Sequence, residues 1–318
     1  MKYGKKIFPA IALALCATTF TACAATNQKV TFNEYWLKDA DAPPAVAPAT
    51  VLETLEYEVK FEKASGFGDD YTVDYQNGVY TTKLSLADDE YLYETSLSID
   101  VTYTAGGKSE TMSDSIVTWV KFKKGANLQP IASHKELFCH SPESGGSTIE
   151  TCFSEHNYTV ENTYNANGLG GKSVIVNNKT NESREQTFTV EDKYACLDNE
   201  QLLFALRGLS QSISSASVSV YAPFSGVVQT INISYDTLQE GKEFTFAQNG
   251  VSNTQAINYY PISLKINAQL PGATQTVWIA QTTKTYSNTF RNVILQLETP
   301  LSYNLGSLIY TLKSATFI

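Results

Sequence analysis

The stretch Leu97-Ser98-Ile99-Asp100-Val101-Thr102-Tyr103 decides the fold class of this chain. Apolar and polar side chains alternate along it, which is typical of an antiparallel strand with one buried and one exposed face. The same alternation runs from Tyr57 to Phe61, and further strand-like runs follow to the end of the chain. Turn signals such as Asn77-Gly78 and Ala105-Gly106-Gly107 separate these runs. Strand therefore follows strand, and a parallel sheet with alternating helices is not expected.

The composition agrees with a β protein. The 318 residues include 19 Tyr and 15 Phe but only 2 Met, and aromatic and β-branched residues favour strands. We predict an all-β, mainly antiparallel fold, either a curved, half-open β-barrel or a sandwich. A chain of this length can bury one large core, so residues 52–318 are predicted to form a single domain. Two halves, 52–195 and 196–318, are the alternative.

One segment departs from the strand pattern and predicts a short helix from about residue 198 to 209. Asp198 is a good N-cap, and Glu200 suits the positive end of the helix dipole. Gly208 stands near the end as a stop signal. Four leucines fall on one helical face: Leu202, Leu203, Leu206 and Leu209. We expect this face to pack on the concave side of the curved sheet.

The first residues form a secretory signal with a lipoprotein-like ending. Three lysines precede the apolar run from Ile7 to Leu15, which is too short to span a membrane. The run Phe20-Thr21-Ala22-Cys23 then resembles the lipobox of bacterial lipoproteins, although Phe20 stands where Leu is usual. The resemblance implies cleavage after residue 22 and attachment of lipid to Cys23. A plain secretory signal cut near Ala22 or Ala25 is the alternative.

An acylated Cys23 makes the lipid bilayer the first predicted partner. Each buried methylene contributes about 0.8 kcal/mol, so the several acyl chains that the resemblance implies anchor a protein firmly. We predict a signal peptide over residues 1–22 and a location in the bacterial cell envelope. In a Gram-negative cell, Ala24 in place of Asp favours the outer membrane, on its periplasmic or surface face.

Residues 23–51 are predicted to form an Ala/Pro-rich tether between the lipid and the domain. Ala and Pro dominate residues 39–48, and such a composition favours extended, semi-rigid geometry. Three aromatic residues lie within the tether: Phe32, Tyr35 and Trp36. They are either anchors at the membrane interface or a short piece that docks on the domain.

The acidic balance of the chain excludes some partners. The formal net charge is −9 at pH 7, and removal of the signal peptide removes three lysines and no acids. Such a charge argues against nucleic acid and against anionic lipid head groups. The remaining predicted partners are a lipid-like ligand or another envelope protein.

Two cysteines and all three histidines lie in one segment: His134, Cys139, His140, Cys152 and His156. We predict a Cys139–Cys152 disulfide, because two Cys that flank a Gly/Ser/Pro-rich loop in an exported protein usually pair. Such a bridge contributes about 3 kcal/mol on the chain-entropy model. A zinc site is the alternative, but the spacing matches no standard zinc module, and neither metal nor cofactor is predicted. Cys196 is expected to be a buried thiol.

No residue is predicted to be catalytic. The sequence has no Gly-x-Ser-x-Gly elbow, no phosphate-binding loop and no dinucleotide fingerprint. A ligand cavity is a separate hypothesis, since the largest apolar pocket is the default site in a protein of this kind. Its predicted lining residues are Trp119, Leu202, Leu206 and Trp278. Plain core packing of these side chains is the alternative.

Three short motifs carry a family resemblance. They are Asp198-Asn199-Glu200-Gln201-Leu202-Leu203-Phe204-Ala205-Leu206-Arg207, the strand Thr276-Val277-Trp278-Ile279-Ala280 followed by Arg291, and Gly306 before the run from Leu308 to Lys313. With them the chain resembles an uncharacterised bacterial envelope family, the domain of unknown function 3108. That resemblance implies a curved, half-open β-barrel similar to the lipoprotein carriers and receptors of the Lol pathway. It also implies a hydrophobic concavity for an acyl chain, and no catalytic residue. The segment 124–160 departs from the pattern as a long insertion.

Together these observations predict a membrane-anchored envelope lipoprotein that is not an enzyme. We expect it to bind an apolar or amphipathic ligand or another envelope component. The alternative is a structural or adhesive surface protein that acts through its outer face and has no internal pocket.

Overall fold

The structure is a computed structural model. It describes residues 30–34, 36–37, 50–64, 71–143, 145–210, 214–266, 274–281 and 290–317. Within these residues the chain forms sixteen β-strands and one α-helix. The predicted all-β, mainly antiparallel fold class is confirmed.

The first eight strands form a meander in which each strand pairs with the next. They are β1 (Thr50–Lys63), β2 (Tyr71–Ala87), β3 (Glu90–Ala105), β4 (Lys108–Lys123), β5 (Pro130–Pro142), β6 (Phe153–Tyr164), β7 (Gly170–Asn177) and β8 (Ser183–Thr189). The stretch from Leu97 to Tyr103 lies in β3, whose buried and more exposed residues alternate along almost its whole length. Because one face is buried along its length, this strand has a strongly specified register.

The second half of the chain extends the same sheet. It contains β9 (Ala195–Leu197), a 3₁₀ turn (Asn199–Gln201), α1 (Leu202–Gly208), β10 (Ser215–Ala222), β11 (Val227–Tyr235), β12 (Gln239–Gln248), β13 (Val251–Ile266), β14 (Gln275–Ala280), β15 (Ile294–Pro300), a 3₁₀ turn (Ser302–Asn304) and β16 (Gly306–Phe317). The strand order is β8-β7-β6-β5-β4-β3-β2-β1-β16-β15-β14-β13-β11-β10-β9. The first and last strands are thus neighbours, and one sheet crosses both predicted halves.

The two ends of this sheet meet through side chains. The rings of Phe188 on β8 and Tyr221 on β10 stack with their centroids 3.9 Å apart. The Tyr221 hydroxyl donates to Gln186 Oε1 at 2.6 Å, and Arg184 donates to the carbonyl oxygens of Pro223 and Phe224. The sheet therefore curves into a barrel that side chains, rather than a backbone ladder, bring together.

Five strands form a smaller closed ring on the same sheet. β12 pairs antiparallel with β13 and, through Ala247 and Gln248, parallel with β16. β13, β14, β15 and β16 are consecutive neighbours, which completes the ring. Nothing in the alternation of β12 predicts its short second pairing.

The α-helix begins at Leu202, later than the predicted start near residue 198, because a 3₁₀ turn occupies Asn199–Gln201; it packs on the buried face of the sheet, as predicted. Asp198 caps the preceding 3₁₀ turn and accepts a hydrogen bond from the backbone N of Glu200. Phe204 is buried and contacts three rings from β3 and β4, with centroid distances of 5.0–5.7 Å. These rings belong to Tyr91, Tyr93 and Phe122. Leu202, Leu206 and Leu209 are buried as well.

Part of the predicted tether docks on the domain. Residues 30–34 and 36–37, here called the docked segment, pack on the domain, with Phe32 3% and Trp36 1% exposed. The backbone N of Phe32 donates to Ala126 O, and that of Asn33 donates to Gly208 O, both at 2.8 Å. Burial of the apolar side chains of this segment is favourable in free energy compared with their exposure to water. Docking is thus confirmed for Phe32 and Trp36, whereas Tyr35 and residues 38–49 lie outside the described residues.

The predicted turn signal at Asn77-Gly78 and the predicted helix-stop signal at Gly208 have other roles. Asn77-Gly78 does not end a strand but forms a bulge inside β2, where the register with β3 shifts. Asn77 has φ of 53°, and a Cβ on Gly78 would lie 2.7 Å from Val59 Cβ. Gly208 does not stop the helix through a positive φ. A Cβ there would lie 2.9 Å from Asn33 O, so this glycine admits the docked segment.

Candidate functional site

A buried ion pair joins the helix, the docked segment and the first strand. Arg207 on α1 donates from Nη1 and Nη2 to the two carboxylate oxygens of Glu53 on β1, at 2.6 and 2.8 Å. The guanidinium lies 4.2 Å from the ring centroid of Trp36 and also donates to Arg291 O at 2.9 Å. Two-pronged pairs of this kind are the strong ones in proteins. The interior is therefore tied together by charge as well as by apolar packing.

The sequence contained a signal for Glu53 that the sequence analysis did not use. In β1 the buried positions include Leu55, Tyr57 and Val59, and Glu53 shares their phase. A charged residue in the phase of a buried face needs a partner of opposite charge. Arg207, which ends the first of the three motifs, is that partner.

A second buried polar network holds the start of the helix. Asp198 Oδ2 accepts hydrogen bonds from Ser133 Oγ at 2.5 Å, Tyr164 OH at 2.6 Å and Asn162 Nδ2 at 3.4 Å. Burial raises the pKa of the Asp198 carboxyl, and the nearby charge of Glu200 raises it further. All these groups face the domain interior, so the network fixes the helix on β5 and β6.

The predicted disulfide is wrong, because Cys139 and Cys152 are both buried thiols. In the β5–β6 pair, Cys139 lies opposite His156. The backbone N of Glu143 donates to Cys152 O, so Cys152 lies opposite Glu143. This register offsets the two cysteines by four residues, about 13 Å at ~3.3 Å per residue. A disulfide requires Cα atoms within about 7 Å. Cys196 is a buried thiol, as expected.

The three histidines do not form one centre. His134 stacks on Trp119, with ring centroids 5.9 Å apart, and approaches Glu136 and Glu161. His156 Nε2 lies 3.1 Å from Ser154 Oγ. Across the described ranges, no three His, Cys, Asp or Glu side chains are grouped so that they could hold a metal.

His140 forms a buried pair with Asp114. The sequence patterns used above pointed to His140 but not to Asp114. His140 Nδ1 lies 2.7 Å from Asp114 Oδ1, and the His140 backbone N donates to the same oxygen at 3.0 Å. Burial raises the pKa of the Asp114 carboxyl, although the hydrogen bonds and charge of His140 lower it. Asp114 has the phase of the buried residues Ile116 and Thr118 in β4, which is the signal that could have found it.

An Asp–His pair can hold or transfer a proton when its second nitrogen faces a substrate. The His140 ring is 5% exposed and packs edge-on against Phe138 and Phe153, at 5.2 and 5.5 Å. The β4–β5 ladder ends at Phe138. The pair therefore fastens β5 to β4 beyond the end of their backbone pairing.

The structure does not bring the four predicted cavity residues together. Leu202 and Leu206 are buried in the core, at 0% and 1% exposure. Trp119 lies on the face of β4 that points away from the core, beside His134. Trp278 on β14 packs with Tyr259 on β13, with ring centroids 4.9 Å apart.

One cavity beside the helix is small. It has a volume of about 10 Å³, which is close to the minimum for one water molecule. Its lining residues are Tyr57, Tyr80, Thr82, Tyr93, Leu203, Ile294, Leu297 and Tyr310. Burial raises the pKa of Tyr93, one of these lining residues, to about 12.

The predicted lipidation site is not part of the described structure. Cys23, with the rest of residues 1–29, is outside the described residues. In the part that is described, no helix has the length and apolar character needed to cross a membrane.

The fold and these sites define an all-β, barrel-like protein whose concave face carries a helix and an N-terminal segment. No protein-family model matches the sequence, and no curated protein matches it. The chain is similar to the crystal structure of a beta-barrel-like protein of domain of unknown function DUF1849 from Brucella abortus. The two are 8% identical with a TM-score of 0.49, over 84% of this chain and 98% of that chain. The fold class given above rests on the strand pairing.

Proposed function

We propose that the protein is a non-catalytic envelope lipoprotein that binds another envelope component through its outer surface. The observation that carries this proposal is the occupied concave face. Trp36, Phe204 and the rings of β3 and β4 pack against one another on this face. The cavity next to them suits one water, so this part of the concave face offers no room for an acyl chain.

The docked segment supports a domain held close to the membrane. Six residues, 24–29, lie between Cys23 and Val30, the first described residue of the docked segment, so the two are seven residue steps apart. A fully extended chain of this length spans at most ~25 Å, at ~3.3–3.6 Å per residue. If Cys23 is acylated, the domain lies beside the bilayer rather than at the end of a long tether.

The enclosed Asp114–His140 pair supports a role without catalysis. Its imidazole is surrounded by aromatic rings, and a general base must come within hydrogen-bond reach of a substrate proton. The acidic net charge of −9 leaves an acyl anchor, rather than attraction to anionic lipids, as the source of membrane affinity.

Cys23→Ser is expected to release the protein from membranes into the soluble periplasmic or culture fraction. The anchor is lost because serine cannot carry the thioether-linked lipid, and the net charge of −9 does not favour binding to anionic lipids instead. Fractionation of cells and a sucrose-gradient separation of the two membranes measure this, with the wild type expected in the outer membrane.

Cys16→Ser is the matched control, because Cys16 lies in the part of the signal that cleavage removes. This variant should remain in the outer membrane fraction. Retention of Cys23→Ser in membranes would contradict the lipoprotein assignment.

A further inference from the structure

Three aromatic rings surround the ammonium group of Lys242. Lys242 Nζ lies 3.7 Å from the ring centroid of Trp278, 5.5 Å from that of Phe244 and 6.0 Å from that of Tyr259. A cation within about 6 Å of a ring centroid is attracted to the ring face. Phe244, Tyr259 and Trp278 are called the aromatic cage below.

The register of three strands builds the aromatic cage. Lys242 lies opposite Ile257 in the β12–β13 pair, so Lys242 and Phe244 share a face with Tyr259. In the β13–β14 pair Trp278 lies opposite Pro261, which places its ring on that same face. A bulge between Gln239 and Lys242 interrupts the β12 ladder immediately before Lys242.

The lysine is a removable occupant of the cage. Lys242 is exposed, whereas Phe244 and Tyr259 are each 8% exposed. Among the described residues no carboxylate forms an ion pair with Lys242, and the three ring faces are the groups that attract its ammonium there. Partial burial lowers the pKa of the Lys242 ammonium.

We propose that the aromatic cage binds the trimethylammonium of a phosphocholine group, and that the displaced Lys242 pairs with the phosphate. A quaternary ammonium has no N–H groups to leave unsatisfied among three rings, so it is a better guest than a primary ammonium. Its phosphate follows two carbons away, within reach of the flexible lysine stem. The head group of phosphatidylcholine is neutral overall, and in free phosphocholine the trimethylammonium offsets part of the phosphate charge of about −1.5 to −2.

This inference goes beyond the proposed function and does not depend on lipidation of Cys23. The phosphocholine can belong to a free metabolite or to the head group of a phosphatidylcholine bilayer. Both sources present the same two charged groups to the cage and to Lys242.

Isothermal titration calorimetry of the mature chain in a maltoside detergent tests the site. Phosphocholine should bind more tightly than tetramethylammonium or inorganic phosphate alone. Trp278→Ala should weaken phosphocholine binding about tenfold or more, since Trp278 is the ring nearest the cation. Trp119→Ala is the matched control, because its ring stacks on His134 of β5, and it should leave the affinity unchanged.

Two substitutions at the exposed Lys242 keep the test independent of folding. Lys242→Ala empties the cage, so tetramethylammonium should bind more tightly while the preference for phosphocholine disappears. Lys242→Glu should still bind tetramethylammonium and should reject phosphocholine, because a carboxylate would face the phosphate. The proposal is overturned if neither ligand binds the wild type or Lys242→Ala, or if Lys242→Glu binds phosphocholine as the wild type does.

Vesicle flotation separates the two sources of phosphocholine. The Cys23→Ser chain, which lacks the acyl anchor, should float with phosphatidylcholine vesicles and not with phosphatidylglycerol vesicles if the ligand is a membrane head group. Binding of free phosphocholine without flotation assigns the soluble source. Absence of both overturns the phosphocholine site and leaves the outcome of the Cys23→Ser fractionation untouched.

Discussion

Arg207→Met should lower the free energy of unfolding by about 3–5 kcal/mol, the range for breaking a buried ion pair on one side. The reason is the Glu53 carboxylate, which is 1% exposed and would stay buried without its partner. The same change removes the cation that lies over Trp36, so the helix and the docked segment both loosen. Urea unfolding of the mature chain, followed by circular dichroism, measures the loss.

Two controls separate the buried charge from the lost side-chain volume. Glu53→Leu combined with Arg207→Met removes both charges and should recover much of the stability, since apolar replacement of a buried pair is often nearly neutral. Lys83→Met breaks an exposed ion pair with Glu94 and should cost about 0.5 kcal/mol or less. An effect of Arg207→Met as small as that of Lys83→Met would show that Arg207 does not hold the interior together.

Trp36→Ala should also destabilise the domain by about 3–5 kcal/mol, as large aromatic truncations in cores do. Trp36 is 1% exposed, packs 5.5 Å from the ring of Phe204 and covers Arg207. The docked segment should then detach and be cut more readily by protease. Urea unfolding and limited proteolysis with mass analysis of the fragments measure the two effects.

Trp119→Ala is the comparison for Trp36→Ala, since Trp119 is partly exposed and stacks on His134. It should cost about 1 kcal/mol or less and leave the docked segment protected, as surface changes usually do. Unchanged stability and protease resistance in Trp36→Ala would mean that the segment is a spacer, with its aromatic residues free to act at the membrane interface.

Local patterns in the sequence predicted the strand-rich fold and the helix, although Asn77-Gly78, predicted as a turn, lies inside β2, and the segment 124–160, predicted as an insertion, contains β5. Alternation such as that from Leu97 to Tyr103 reports which face a strand buries, and Asp198 marks the helix start through its capping oxygen. The pairing register between neighbouring strands could not be predicted from these local patterns. The absence of the Cys139–Cys152 bridge depends on a four-residue offset between β5 and β6, which the loop composition does not encode.

The charged core residues were partly predictable, and the aromatic cage was not. Glu53 and Asp114 have the phase of buried positions in their strands. The sequence therefore indicated that each carboxylate needs a hydrogen-bonding or positively charged partner. The cage around Lys242 instead depends on three strands whose relative registers are set by the bulge in β12 and by the pairing with β14. A single sequence contains no local pattern for such a cluster.

Native mass spectrometry of the Cys23→Ser chain incubated with palmitate tests the filled interior most directly. Palmitate has no choline group, so the aromatic cage does not take part, and the missing acyl anchor removes any covalent lipid from the spectrum. We expect the mass of the polypeptide alone, because Trp36, Phe204 and their neighbours occupy the concave face. A one-to-one palmitate complex would contradict the account and would indicate a carrier that holds its lipid inside the barrel.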